Sequence, residues 1–186
     1  FHLIMPKNMR PVNLSLHNLR LREIIKRWVT IMLITTSALY TAPTIADDLN
    51  DGFLKLSEGK PEEAIRLWAP LAEAGDKVAQ ASLGLLYQTG QGTSPDHLRA
   101  VQLFKKSAEQ GYPFAFTALA NSYHEGLGVE KNRKRALFWF LLSAEFDPNA
   151  AFMVQALAEE VSATMFDKIV AEAIACQKSH YLDCDF

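Results

Sequence analysis

The sequence repeats itself every 36 residues, and this period constrains the fold more than any other feature. Alanine recurs at Ala64, Ala100 and Ala136, and an aromatic side chain stands four residues after each of them. These aromatic residues are Trp68, Phe104 and Phe140. A period of about 20–50 residues is typical of arrays in which similar structural units stack. The sequence therefore predicts a repeat protein whose units bury their apolar faces against one another.

Each unit has the pattern of two helices joined by a turn. Apolar residues fall at helical spacing between residues 79 and 87 and again between residues 100 and 108. Glycine can take the left-handed conformation that ends a helix, so the paired glycines after the first run predict a turn. These glycines are Gly90, Gly92, Gly126 and Gly128. Asp96 and Asn132 are expected to cap the helices that follow the turns.

Taken together, the alanine, leucine, tyrosine and paired glycines of residues 79–92 resemble the Sel1-like repeat, a relative of the tetratricopeptide repeat. Residues 100–111 continue the resemblance, and residues 115–144 repeat it. It extends over about residues 52–176. The resemblance implies an all-α solenoid of stacked helix-turn-helix hairpins with a C-terminal capping helix. Ala100 and Ala136 would then be structural positions of the repeat.

The sequence predicts two parts, a signal peptide with an upstream extension at 1–46 and a repeat domain at 47–186. The repeat domain is predicted to contain a partial repeat at 51–74, repeats at 75–110 and 111–146, and a degenerate cap at 147–180. Terminal units of such arrays are atypical because their outer surfaces face water. In the last unit Gln155 and Glu159 replace the leucine and tyrosine of the pattern.

Residues 1–46 have the composition of an export signal. They contain six basic residues and one acidic residue, and the apolar stretch 29–40 follows the basic region. Small residues precede a predicted cleavage site after Ala46. Because a membrane-spanning helix needs about 20 apolar residues, we expect a cleaved signal and a periplasmic or secreted protein. An uncleaved membrane anchor is the alternative, and membrane contact is expected only through this segment.

The charge that remains after the signal disfavours nucleic acid as a partner. The chain has 19 basic and 21 acidic residues, so removal of the signal leaves 13 and 20, a net charge near −7. Phosphate backbones repel such a surface. The exception is a basic cluster, which is either a solvated turn or a patch for an anionic partner. The cluster comprises Lys131, Arg133, Lys134 and Arg135.

Two cysteines, Cys176 and Cys184, lie near the C-terminus. An exported protein meets oxidising conditions, which favour a disulfide between them. Free thiols or an intermolecular pair are the alternatives.

No motif in the sequence supports catalysis, and no cofactor or metal ion is expected. His124-Glu125 begins like a zinc protease motif but lacks the second histidine. Ser57 and Lys60 match the Ser-x-x-Lys pattern of penicillin-recognising enzymes, without the other motifs of that class. The glycine pairs lie between helices and have no preceding strand, so they do not predict a nucleotide site.

The resemblance implies an adaptor that binds a protein or peptide in the concave groove of a short superhelix, and we expect this function in the bacterial cell envelope. Candidate contact residues are large or polar residues at positions that the repeat leaves variable. They are Gln80, Gln88, Phe116, Asn121, His124 and Gln155. Binding of a peptidoglycan polymer by these side chains is the alternative function. A penicillin-hydrolysing enzyme is less favoured.

Overall fold

The computed structural model describes residues 45–181 and residue 184, and all regular structure in this part of the chain is α-helical. Its helices are α1 (Ile45–Ser57), α2 (Pro61–Glu73), α3 (Lys77–Thr89), α4 (His97–Ala108), α5 (Pro113–Glu125), α6 (Arg133–Ser143), α7 (Pro148–Ala158) and α8 (Ala163–Lys178). Within these described ranges, no helix is long and apolar enough to cross a bilayer. The predicted cleavage site after Ala46 falls in the first turn of α1, and residues 1–44 of the predicted signal lie outside the described residues.

The helices pack in chain order as stacked hairpins. The pairs α1–α2, α3–α4 and α5–α6 form the hairpins, and the second helix of each hairpin packs on the first helix of the next. The predicted all-α solenoid is therefore confirmed. The first hairpin begins at Ile45, before the expected start of the partial repeat at residue 51.

The repeated small and aromatic residues form the core. The three alanines at positions 64, 100 and 136 are fully buried, as are Trp68 and Phe104. Gly84 lies against the Phe104 ring, where a Cβ atom would come within 2.6 Å of the ring. Small residues thus let the two helices of a hairpin approach, and the aromatic ring fills the space between them. Full burial of a large apolar side chain contributes about 1.5–3 kcal/mol to stability.

The first glycine of each pair ends a helix. Gly90 caps α3 with a φ of 73°, and Gly126 caps α5 with a φ of 77°. In each case the glycine N–H donates a hydrogen bond to a carbonyl oxygen of the last helical turn. Asp96 or Asn132 immediately precedes the next helix as its N-cap, and its side chain accepts a hydrogen bond from a backbone N–H of the first turn. The predicted caps are confirmed at these positions.

The second glycine of each pair brings two units into backbone contact. A Cβ atom on Gly92 would lie 2.7 Å from the backbone nitrogen of Glu62, at the start of α2. On Gly128 it would overlap the carbonyl group of His97, at the start of α4. Each turn therefore rests on the first turn of the second helix of the preceding hairpin, and only glycine leaves room for this approach.

At the C-terminal end, α6 is covered on several sides at once. Residues 136–140, together with Leu142 and Ser143, are all buried, because α5, α7 and α8 each pack against α6. A helix that is apolar all round needs such enclosure. Since α8 packs on α6 and makes little contact with α7, the expected degenerate cap is an opened pair of helices. Phe152 of α7 is consequently 70% exposed.

A disulfide joins Cys176, in the last turns of α8, to Cys184. Cys176 is buried in the core, and the bridge closes a short loop that includes Tyr181. The Tyr181 ring packs back onto the third hairpin, with its centroid 5.0 Å from that of the Phe116 ring. The disulfide thus ties the C-terminal segment to the body of the repeat array.

Candidate binding groove

The first helices of the hairpins line the inner side of the array. Helices α3 and α5 contact one another directly. On the other side, α2 and α4 are separated by an opening of about 210 Å³ whose lining includes Leu83 and Leu103. Units that touch on one side and separate on the other curve towards the touching side. The inner, concave side is therefore formed by α3 and α5, and solenoids commonly use this side for binding.

Repeat-related positions on these first helices form a row that we call the groove face. Leu85 and Asn121 are 36 residues apart, as are Gln88 and His124. Phe53 is the corresponding residue on α1. Gly52, which precedes Phe53, packs against the Trp68 ring, just as Gly84, which precedes Leu85, packs against the Phe104 ring. The groove face thus comprises Phe53, Leu85, Gln88, Asn121 and His124. Of these, Phe53 is 43% exposed and Asn121 is exposed.

The groove face changes from apolar to polar along the array. Phe53 and Leu85 are apolar, whereas Gln88 and Asn121 carry amides that both donate and accept hydrogen bonds. The Gln88 amide donates to the Ser122 hydroxyl at 3.3 Å, which holds it against α5. His124 Nε2 lies 3.4 Å from a carboxylate oxygen of Glu125. The face can therefore receive an apolar side chain at one end and a hydrogen-bonding group at the other.

Two of the predicted contact residues lie in the interior. Gln80 is 3% exposed, its Nε2 donates to the Ala72 carbonyl at 3.1 Å, and its Oε1 accepts from Gln110 at 2.9 Å. Phe116 is fully buried, with its ring centroid 6.0 Å from that of Trp139. Gln80 thus joins its hairpin to the preceding one, whereas Phe116 packs inside its own hairpin, and neither side chain reaches the groove face.

The remaining candidates divide into two groups. Gln88, Asn121 and His124 lie together on the groove face, whereas Gln155 is exposed on α7, away from them. Sequence reasoning missed Phe53 and Leu85, which it assigned to no contact role. The repeat alignment could have identified Leu85, because it occupies the position that Asn121 occupies in the next repeat.

Residues 77–112 and 117–145 each match the Sel1 repeat. This chain is a Sel1-like repeat protein. The match covers the second and third hairpins, which contain most of the groove face. Proteins with this repeat fold are generally scaffolds for protein–protein interaction and are generally non-catalytic.

Two solved structures share the fold. One is the crystal structure of c5321, a protective antigen present in uropathogenic Escherichia coli strains displaying an SLR fold. It has a TM-score of 0.66 and 24% identity over 74% of this chain and 32% of that chain. The other is a Sel1 repeat protein from Oxalobacter formigenes, with a TM-score of 0.54 and 31% identity over 71% of this chain and 55% of that chain. This chain thus spans only part of either relative. No curated protein sequence matches it.

The basic cluster of this Sel1-like repeat protein is partly engaged within the chain. Arg133 pairs with Glu160 at 2.9 Å, and the Arg135 guanidinium lies 5.4 Å from the centre of the Tyr123 ring. The repeat-related Arg99 stacks on Tyr87 in the same way, at 4.3 Å. The stacked arginines are therefore structural parts of the repeat, since such cation–π contacts hold the two helices together. Lys131 and Lys134 remain exposed.

Ser57 and Lys60, which match the Ser-x-x-Lys pattern, each bond to a nearby residue and not to one another. The Ser57 hydroxyl donates to the Leu54 carbonyl at 2.7 Å, and Lys60 pairs with Glu58 at 2.8 Å. The Glu58 carboxylate raises the pKa of Lys60, which is the opposite of what a general base requires. Across residues 45–181 and 184, no group of three or more histidine, cysteine or carboxylate side chains could hold a metal ion.

Proposed function

We propose that this protein is a non-catalytic scaffold that binds an extended segment of a partner protein across the groove face. The observation that carries the proposal is the repeat-related row of half-buried and exposed side chains on α1, α3 and α5, with amides beside apolar residues. Amides match the alternating donors and acceptors of a peptide backbone. Phe53 and Leu85 would select an apolar side chain of the partner.

The spacing of the units supports an extended ligand. Packed helices lie about 8–10 Å apart, so repeat-related side chains on α3 and α5 are separated by about that distance. An extended peptide advances about 3.3 Å per residue, so this separation corresponds to about three residues. The repeat-related side chains of Gln88 and His124 would then contact backbone groups about three residues apart, whatever the peptide sequence between them.

We also propose that the protein works in the cell envelope, in the periplasm or outside the cell. The composition of residues 1–46 supports an export signal. The disulfide between Cys176 and Cys184 supports an oxidising compartment, because such bonds are rare in the reducing cytosol.

Site-specific photo-crosslinking in cells tests the groove. A photoreactive residue is placed at Asn121, and a matched control residue is placed at Gln102, which is exposed on the outer side of α4. We expect a discrete crosslinked protein at Asn121 and none at Gln102. A Gln88→Ala variant should weaken the Asn121 crosslink without changing the circular dichroism spectrum. Equal crosslinking at the two positions would contradict the proposed groove.

The same strain can report on a cell-wall ligand. If no protein is crosslinked at Asn121 and the purified full chain sediments with isolated peptidoglycan, the protein-binding proposal fails in favour of polymer binding. The Gln88→Ala variant should then sediment less.

A further inference from the structure

Two turns that are related by the repeat differ in what covers them. Gly75 connects α2 to α3, and Gly111 connects α4 to α5, at a separation of 36 residues. A Cβ atom on Gly111 would lie 2.8 Å from the Tyr181 ring, whereas one on Gly75 would have no neighbour within 4 Å. One turn is thus covered by an aromatic ring, and its repeat-related counterpart is open.

The ring that covers the Gly111 turn comes from a distant part of the chain. Tyr181 follows α8 and lies within the loop that the Cys176–Cys184 disulfide closes. Its ring rests on Gly111 and on Phe116, at 5.0 Å between ring centroids. The protein itself therefore shows that a turn of this kind accepts a tyrosine side chain.

Beside the Gly75 turn lies an open cavity of about 440 Å³. Its lining residues are Leu71, Ala74, Gly75, Asp76, Lys77 and Gln110. The lining combines three apolar or small residues with three polar ones, and ligand sites are commonly concave surfaces that combine apolar area with a few polar groups. Gln80 replaces Phe116 at the repeat-related position, and it is bonded to Gln110. The cavity is therefore more polar than the Gly111 turn.

We propose that the cavity at Gly75 binds a tyrosine side chain presented by a partner protein, in the manner in which Tyr181 occupies the Gly111 turn. The ring packs on Leu71, Ala74 and Gly75. Asp76 Oδ1 accepts from the Ala79 N–H, so the second carboxylate oxygen of Asp76 and the Lys77 ammonium group supply an acceptor and a donor for the phenol hydroxyl group. The cavity lies at the N-terminal end of α3, whereas Gln88 lies at its C-terminal end, so this site is separate from the groove face.

The test uses the full chain with its disulfide intact and a fluorescent peptide as the probe. The peptide has the sequence of residues 178–186 with Cys184→Ser, and a second peptide also carries Tyr181→Ala. In a polarisation titration we expect the tyrosine peptide to bind about tenfold or more tightly than the alanine peptide, the effect of one buried aromatic anchor. Absence of binding, or equal binding of the two peptides, would overturn the proposal.

Protein variants locate the bound peptide. Ala74→Trp fills the cavity from the exposed residue that follows α2, and Arg66→Trp is the matched control within α2, also exposed but outside the cavity. We expect Ala74→Trp to abolish the preference for the tyrosine peptide and Arg66→Trp to retain it. Retention in both variants would place the peptide elsewhere and reject the Gly75 site. Failure of the Asn121 crosslink would leave this result unaffected, so the two proposals fail independently.

Discussion

Replacement of Gly128 by alanine is expected to destabilise the fold more than the same replacement at Gly59 or Gly126. The three glycines have φ values of 73°, 74° and 77°, so alanine meets nearly the same backbone strain at each of them. For a residue with a Cβ atom, the left-handed conformation costs about 1–2 kcal/mol. Differences among the three variants therefore report what the added methyl group touches.

The surroundings of the three positions differ sharply. A Cβ atom on Gly59 would have no neighbour within 4 Å, and on Gly126 its nearest neighbour would be Lys131 Cβ at 3.4 Å. On Gly128 it would overlap the His97 carbonyl group, which belongs to a helix backbone and cannot turn away. Overpacking of this kind costs about 1–3 kcal/mol. We therefore expect a loss of about 1–2 kcal/mol at Gly59 and Gly126 and of about 2–5 kcal/mol at Gly128.

Urea unfolding followed by far-ultraviolet circular dichroism measures these losses, with the free energy of unfolding extrapolated to water. Gly59→Ala serves as the control for backbone strain alone. If Gly128→Ala and Gly59→Ala destabilise the protein equally, the units do not meet through backbone atoms at Gly128, and our account of the second glycine is wrong.

Three further substitutions test other contacts. Cys176→Ser should lower the free energy of unfolding by about 2–3 kcal/mol, because the disulfide closes a loop with a sequence separation of 8; no change in urea unfolding would contradict this. Phe116→Ala should cost about 3–5 kcal/mol in the same assay, since the side chain is fully buried, and a loss near zero would mean that the ring is exposed in solution. The Lys60 ammonium, with Lys55, lowers the pKa of Glu58 below its ordinary value of 4.5. A depressed folded-state pKa stabilises the fold above the unfolded pKa, and the effect is lost as the pH falls through the folded value. Lys60→Gln should raise the Glu58 midpoint in an NMR titration, and an unchanged midpoint would exclude Lys60 as its main partner.

The architecture was predictable because it follows from local chemistry that recurs. The 36-residue period, the small residues and the glycine pairs specify hairpins that stack, and each of these signals lies within one unit. The backbone contact at Gly128 was not predictable, since it depends on how close α4 comes to the next turn. The opened pair of α7 and α8 follows from the apolar residues around α6, although the sequence does not say which helix covers them.

The groove was predictable only in part. Variable polar positions such as Gln88 and Asn121 lie on the groove face, but Gln80 and Phe116 vary for a different reason. Gln80 joins its hairpin to the preceding one through Ala72 and is also bonded to Gln110, whereas Phe116 packs against Trp139 of its own hairpin and against Tyr181. Variability at a repeat position thus also arises from packing inside the array, and by itself it does not identify a contact with a partner. The position of Tyr181 depends on contacts over a long sequence separation, which no local pattern reports.

Because α6 is enclosed by other helices, we expect local stability to differ between the two ends of the described array. Amide exchange requires local opening, and opening is rarest where a helix is covered on every side. At the other end, α1 packs on α2 and leaves Leu54 52% exposed. Hydrogen exchange should therefore be slowest in α6 and fastest in α1, so that the array opens from its first hairpin. A partner that contacts Phe53 would stabilise this first hairpin against local opening. Its binding would therefore slow amide hydrogen exchange in α1 and α2.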